Sequence, residues 1–198
     1  MREIRPAGPQ DFPGVYRVCL LTGDSGRDGS GLYRNPDLLG HLYAGPYVAG
    51  APEHALVAVD GEGVAGYCLA VPDTRAFEAW CEAAWWPVLR AQYPLPVPSD
   101  PDGDLVRVIH APPIADAAVL SGHPAHLHID LLERARGTGL GRQLVERQLA
   151  GLRAAGAPGV HLEVARDNEN GIAFYEHLGF VPLETRPDAL VMGLRLVP

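Results

Sequence analysis

The segment Arg136-Gly137-Thr138-Gly139-Leu140-Gly141 follows directly on the apolar run His126–Leu132 and opens into the helix-like stretch Leu144–Ala154. A strand, a tight glycine turn and a helix start, in that order, commit this part of the chain to an α/β arrangement. They also gather several backbone N–H groups around one point, where the helix dipole favours negative charge, and so form a cradle for a diphosphate. Glycine at 137, 139 and 141 lets the backbone approach an anion with no Cβ in the way, and Arg136 adds a fixed positive charge at the mouth. Taken alone the run is a weak signal, because glycine-rich turns between strands and helices also occur where nothing binds.

Two familiar glycine loops are set aside by composition and position. A nucleotide-hydrolysing P-loop needs Gly-x-x-x-x-Gly-Lys-Ser/Thr, and the chain holds no lysine; all 16 of its basic residues are arginine. A dinucleotide fold places Gly-x-Gly-x-x-Gly in its first strand–helix unit, with an acidic residue about 20 residues on. Glu163 superficially fits that spacing, but the loop sits two-thirds of the way along the chain, and few βαβ units could follow it.

The 198 residues, 47% hydrophobic with formal net charge −8, fit one compact domain able to bury a full core. Neither end carries a charged flank followed by a long apolar stretch, so a cytoplasmic protein without a membrane partner is expected. Scattered arginines and an acidic balance argue against a dedicated nucleic-acid binder and are compatible with a cationic partner such as an amine. Cys19, Cys68 and Cys81 are odd in number and widely spaced, which indicates neither a disulfide framework nor a metal site.

Arg2–Arg5 reads as a first strand, Gln10–Leu21 as a first helix, and the glycine-rich Thr22–Gly31 as a loop or lid. Leu32–Tyr43 reads as a second helix, and His54–Val59 with Val64–Val71 around Gly61-Glu62-Gly63 as a hairpin. Residues 73–93, with Trp80, Trp85 and Trp86, read as an amphipathic helix whose tryptophans suit a core or a subunit contact. Leu95–Pro101 is a proline-rich connection, Leu105–His110 a further apolar strand, and a short helix ends at Leu120. Gly159–Val164 reads as a strand, and Arg166–Phe180 as a capped helix ending at a glycine.

His126, His128 and Asp130 alternate on one face of the strand before the glycine loop, opposite Leu127, Ile129 and Leu131. Titratable groups in a row are unexpected there, since central strands usually read as continuous apolar runs. With His110 and His123 nearby in sequence they could line an acceptor pocket, accept protons at neutral pH, or be satisfied structural histidines. Zinc is the weaker rival, because His-x-His comes without cysteines or a fitting carboxylate spacing, and no metal is expected.

The Arg-x-x-Gly-x-Gly loop, the strand around Leu162-Glu163-Val164 and the helix carrying Asn168, Tyr175 and Gly179 together resemble the GCN5-related N-acetyltransferase (GNAT) superfamily. Ile4-Arg5-Pro6-Ala7 with Asp11 resembles its first strand and helix start. The resemblance implies a mixed α/β GNAT fold, a central, mostly antiparallel, splayed sheet flanked by helices, whose strands near 125–132 and 159–165 part to admit the cofactor. It implies acetyl-coenzyme A as co-substrate. The amides of Gly137, Thr138, Gly139, Leu140, Gly141 and Arg142 would take the pyrophosphate beside Arg136, and the backbone of Leu131 and Leu132 the pantetheine arm. Asn168 matches a cofactor-contacting asparagine and is equally a plain N-cap. Tyr175 matches the tyrosine that faces the thiol, and a phenol near pKa 10 can protonate a thiolate of similar basicity. The glutamate of the ribosomal-protein N-acetyltransferase branch falls on Glu163 as one candidate base; Asp130 is the other and the first choice for a substrate-contacting acid, with His110, His126 and His128 as substrate-binding candidates.

Tyr33–Gly40, Gly45-Pro46-Tyr47, Val108–Pro113 and His123–Leu127 look similar to bacterial acetyltransferases that resemble the C-terminal, acetyltransferase-like domain of animal O-GlcNAcase. There the glycine loop is degenerate, whereas Arg136, Gly139 and Gly141 are intact here. The expectation is a single acetyltransferase domain over residues 1–198 with a helical, proline-rich insertion at about 73–124. It would move an acetyl group from acetyl-coenzyme A directly to a small-molecule or peptide amine, with a homodimer suggested by the tryptophan-rich region. The alternative is a non-catalytic module that binds acetyl-coenzyme A or presents an interaction surface.

Overall fold

A computed structural model describes residues 2–196. Its seven strands are β1 (Glu3–Pro6), β2 (Ala55–Asp60), β3 (Gly63–Val71), β4 (Ala125–Leu131), β5 (Gly159–Ala165), β6 (Val181–Thr185) and β7 (Ala189–Arg195). They form one sheet in the order β1-β2-β3-β4-β5-β7-β6. Every neighbouring pair is antiparallel except β4–β5, which is parallel.

That one parallel contact shapes the molecule. β4 pairs with β3 over six residues and β5 with β7 over seven, but β4 and β5 pair only through Ala125–Val160 and His126–His161. Beyond His126 the two halves of the sheet part, so residues 127–131 of β4 have no strand partner on their β5 side. This is the splayed, mostly antiparallel sheet that the sequence led us to expect.

Alternation along the strands sends side chains to two cores. Tyr67, Leu69 and Val71 face a layer built from α1 (Phe12–Leu21), α2 (Leu38–Tyr43), α3 (Gly45–Gly50), α5 (Trp86–Gln92) and α6 (Pro101–His110). Cys68, Ala70, Ala125 and Leu127 face α8 (Leu140–Ala154) and Tyr175 of α9 (Glu169–His177). In α8, Leu140, Leu144, Val145, Leu149 and Leu152 are buried at helical spacing.

Three local expectations are corrected. Leu105–His110 is not a strand but the end of α6. Pro101 occupies the first turn, the Asp100 carboxylate accepts the Gly103 N–H at 2.8 Å, and Leu105, Val106 and Ile109 bury one helical face. The second helix begins at Leu38 rather than Leu32, because Pro36 and the Asn35 side chain, which accepts the Asp37 N–H at 3.0 Å, form a turn first. The stretch 73–93 is helical but interrupted: α4 (Thr74–Trp80) runs into a π-helical turn, Cys81–Trp85, before α5. A short α7 (Ala117–Leu120) then leads to β4. The tryptophans pack in this chain's own core: Trp86 is buried, Trp80 and Trp85 lie against the same cluster, and Trp85 Nε1–H donates to the His41 carbonyl at 2.9 Å. All three cysteines are free and buried.

Candidate active site

The glycine loop takes the chain from the end of β4, through a 3₁₀ turn at Glu133–Ala135, into α8. Gly137 and Gly139 have φ of +68° and +80°, a region costly for residues with a Cβ. Space is not the reason: a Cβ on Gly137 would meet nothing within 4 Å, and one on Gly139 only Gln143 Nε2 at 3.9 Å. Gly141 is a glycine for a different reason. A Cβ there would lie 3.0 Å from Leu131 Cδ1 and 3.5 Å from Phe174 Cζ, so the helix start packs close against β4 and α9.

The outcome is a run of open donors. Among the described residues, no backbone carbonyl accepts from the N–H groups of residues 137–142; the first such bond is Gln143 N–H to the Gly139 carbonyl at 3.2 Å. Residues 136–139 are exposed. Unpaired N–H groups at a helix start, with no side chain in front of them, fit an anionic diphosphate. Thr138 turns its hydroxyl inward to the Ala135 carbonyl at 2.7 Å, and Arg142 pairs with Glu146 at 2.6 Å. Arg136 Nε–H donates to the Leu131 carbonyl at 2.9 Å and Nη2–H to the Gly26 carbonyl at 2.5 Å. Leu132 N–H is taken by the Ala65 carbonyl at 2.9 Å. The Leu131 carbonyl, on the partnerless stretch of β4, is therefore held by the Arg136 side chain.

Where the sheet opens, β4 presents His126, His128 and Asp130 in sequence. His126, at the last paired position, has both nitrogens engaged: Nε2 with Tyr47 Oη and Nδ1 with Thr74 Oγ1, each at 2.7 Å. Thr74 Oγ1 already donates to the Pro124 carbonyl at 2.7 Å, so it accepts from Nδ1–H, and Nε2 accepts from the tyrosine. Burial, with His128 and His161 beside it, holds His126 neutral, and it has no free nitrogen for an acceptor. His128 stacks edge-on against Tyr47 with ring centres 5.2 Å apart, and among the described residues its nitrogens have no hydrogen-bond partner. Burial first, and His161 second, lower its pKa to about 4, which leaves it an uncharged acceptor at neutral pH.

Asp130 is half-buried, and its Oδ2 accepts Tyr67 Oη–H at 2.6 Å. Burial pushes its pKa up to about 6 against the opposing pull of Tyr67 first, then Thr22 and Arg136. Tyr175 hangs on the opposite side of the sheet, buried between Phe174 and Phe180, with ring centres at 5.4 and 5.7 Å. Its hydroxyl has no partner among the described residues. Burial raises its pKa, and the charge of Asp130 raises it further.

The other expected site residues lie differently. Glu163 sits on β5, exposed, and is bound to Arg186 Nη1 at 2.7 Å. His110 closes α6 and pairs through Nε2 with the Tyr93 carbonyl at 2.8 Å, turned to that carbonyl rather than to β4. Asn168 caps α9, its Oδ1 accepting the Gly171 N–H at 2.9 Å. Between Asn168 and Arg136 lies the turn Asp24–Arg27, since a Cβ on Gly26 would stand 3.9 Å from Asn168 Nδ2 and 3.8 Å from Arg136 Nη2. The loop at 22–31 therefore reaches the mouth of the cradle. Tyr67 and Tyr47 were missed from the sequence, where a tyrosine on a buried strand or in a short helix carries no separate signal. Among the described residues no three His, Cys, Asp or Glu side chains converge as a metal site requires, and no helix is long and apolar enough to cross a membrane.

Comparison with known proteins bears on the family and the fold. The profile of the Acetyltransferase (GNAT) family matches residues 31–180. The crystal structure of SsHAT is 36% identical and superposes with a TM-score of 0.93 over 100% of this chain and 99% of that one. Protein O-GlcNAcase of Rattus norvegicus is 26% identical over 208 residues, taking in 98% of this chain and 22% of its own length, so the chain spans about a fifth of that curated relative. The PaiA N-acetyltransferase of Thermoplasma acidophilum, solved in complex with coenzyme A, shares the fold at 13% identity, with a TM-score of 0.61 over 98% of this chain and 99% of that one.

Proposed function

We propose that this chain, which belongs to the Acetyltransferase (GNAT) family, moves an acetyl group from acetyl-coenzyme A directly to an amine. The observation that carries the reading is the run of six N–H groups, 137–142, left without backbone acceptors at the start of α8, where β4 has lost β5. Acetyl-coenzyme A supplies an acetyl group on a thioester, which an amine can attack without a covalent enzyme intermediate. The cradle holds the diphosphate, Arg136 flanks it, and the free β5 side of β4 at Ile129 and Leu131 offers backbone partners to the arm.

Asp130 takes the proton from the amine. A carboxylate whose pKa is near 6 is mostly ionised at neutral pH yet basic enough to accept a proton. Glu163 is the less suited base, because its carboxylate is engaged by Arg186 at 2.7 Å on the exposed side of β5. Tyr175, kept protonated by burial, donates to the departing sulfur. His128 stands beside Asp130 as an uncharged acceptor for the incoming group. Helices α4–α7 form an insertion in a single acetyltransferase domain.

Calorimetric titration with acetyl-coenzyme A, with coenzyme A alongside, tests the cradle in the natural protein and in a variant carrying Gly139→Leu and Gly141→Leu. Saturable binding that the variant loses is the expected result, followed by thiol release in a screen of amines. Absence of binding at millimolar cofactor overturns the proposal; binding without thiol release from any amine leaves the non-catalytic reading.

A further inference from the structure

The reaction proposed for Asp130 depends on a group outside the site as first read. β3 and β4 pair antiparallel, and Tyr67 is the direct cross-strand neighbour of Asp130, so their side chains leave the same face side by side. Tyr67 is completely buried, and its phenol O–H donates to Asp130 Oδ2 at 2.6 Å. A short bond of this kind between a buried phenol and a carboxylate is charge-assisted.

Among the described residues Tyr67 is the one hydrogen-bond donor to Asp130, although Thr22 also favours its charged form. Thr22, closing α1, lies on the same side, but its hydroxyl hydrogen is engaged with the Val18 carbonyl at 2.8 Å. Cys19, also of α1, has a thiol that burial holds protonated. Arg136 of the glycine loop pulls the carboxyl toward its charged form from a distance, and it is tethered to the Leu131 and Gly26 carbonyls. Tyr175 of α9 and Cys68 of β3 lie on the other face of the sheet as neutral groups, both kept protonated by burial, and His128 adjoins it on β4 as an uncharged ring. Burial therefore acts on Asp130 with Tyr67 as the chief opposing contact.

We infer that Tyr67 is the positioning residue for Asp130: its phenol fixes Oδ2 and thereby sets both the aim of the carboxylate and the acidity at which it can accept a proton. Tyr67 touches neither acceptor nor thioester and acts through Asp130 alone. The inference rests on the reading of Asp130 as base for its kinetic consequence, but its structural half does not.

Two arms separate the two halves. The first needs no turnover: ¹³C NMR titration of protein labelled at the aspartate side chains, with the Asp130 signal assigned by its loss in Asp130→Asn. Tyr67→Phe keeps the ring and removes the donor, and should move the Asp130 midpoint upward by about one pH unit, the order of a hydrogen bond to a charged group. 3-Fluorotyrosine at position 67, a stronger donor of nearly the same shape, should move it downward, and a merely packing role would not reverse the sign. An unmoved midpoint in both proteins overturns the inference, and the fluorinated protein decides alone should Tyr67→Phe not fold. The second arm follows acetyl transfer from acetyl-coenzyme A to benzylamine against pH. The acid limb of kcat/KM should follow the NMR midpoint, with a loss of roughly threefold at pH 6.5 in Tyr67→Phe that is recovered by pH 8.5. A midpoint that moves while the limb stays put retains the contact but removes Asp130 as the base, and with it the kinetic half of the inference.

Discussion

Replacing Gly139 by alanine isolates one physical term. The residue is exposed, a Cβ would meet only Gln143 Nε2 at 3.9 Å, and so the substitution neither removes a contact nor forces a clash. What it introduces is the cost of holding an L-residue at φ +80°, about 1–2 kcal/mol. That cost has two places to appear. If the loop stays in its present form, the folded state carries it, and urea unfolding shows a loss of about 1–2 kcal/mol. If the loop relaxes to negative φ, stability is kept, but the N–H groups of 137–142 no longer converge and acetyl-coenzyme A must restore them. The same 1–2 kcal/mol then appears as an affinity loss of roughly 5- to 30-fold. The two losses should therefore sum to the strain whichever way it divides. Asparagine tolerates the left-handed region better than alanine, so Gly139→Asn should fall between the two. Urea unfolding and calorimetry on the three proteins measure both terms. A summed loss below about 0.5 kcal/mol for alanine, or asparagine faring worse than alanine, would refute the argument that backbone conformation is what these glycines supply.

Tyr175→Phe removes a hydroxyl that has no partner among the described residues, so stability should hold within about 0.5 kcal/mol while thiol release falls by about 100-fold or more, read in a thiol-release assay beside an unchanged acetyl-coenzyme A affinity. Transfer to an amine should rise with pH through about 6 as Asp130 ionises, and Asp130→Asn should abolish that acid limb while leaving cofactor binding intact. Asp11, buried beneath Arg5 with bonds of 2.6 and 2.7 Å and a third from Gly8 N–H at 2.9 Å, is held below the usual carboxylate range chiefly by that arginine. Its depressed folded pKa contributes stability that is present above the unfolded value of about 3.9 and lost as pH falls through the folded one. Asp11→Asn should accordingly cost about 2 kcal/mol at pH 7 and almost nothing in strong acid, as measured by denaturant melts across that range.

The parts of the fold legible from sequence are those in which the signal is local. The glycine loop, α8, β5 and the capped α9 each carry their pattern within 15 residues or fewer, and they stand where that pattern put them. Leu105-Val106-Arg107-Val108-Ile109-His110 misleads because β-branched residues alternate with polar ones over a short window, and only Asp100-Pro101, just upstream, discloses a helix start. Candidate site residues could be named from the sequence, but their arrangement could not. Asp130 and Tyr67 are 63 residues apart and meet through the β3–β4 register, which no local window holds. The arginine that occupies Glu163 likewise arrives from beyond the next helix, at position 186.

The histidines and the aspartate of β4 differ in role although they share a face, and the opening of the sheet accounts for the difference. At His126 the strand still has β5 beside it through His161, helix α3 covers it with Tyr47, and every polar atom of the ring is engaged. Two residues on, β5 has left, and His128 keeps an aromatic wall but no hydrogen bond among the described residues. Two further on, Asp130 has one buried donor, the Tyr67 phenol, among the described residues. A polar side chain on a paired strand is consumed by the packing that makes its burial tolerable. The same alternation carried past the point of separation leaves groups buried enough to have shifted acidities and unpaired enough to use them. A strand that parts from its neighbour turns one sequence pattern from structural support into candidate chemistry over the residues unpaired on that side, 127–131.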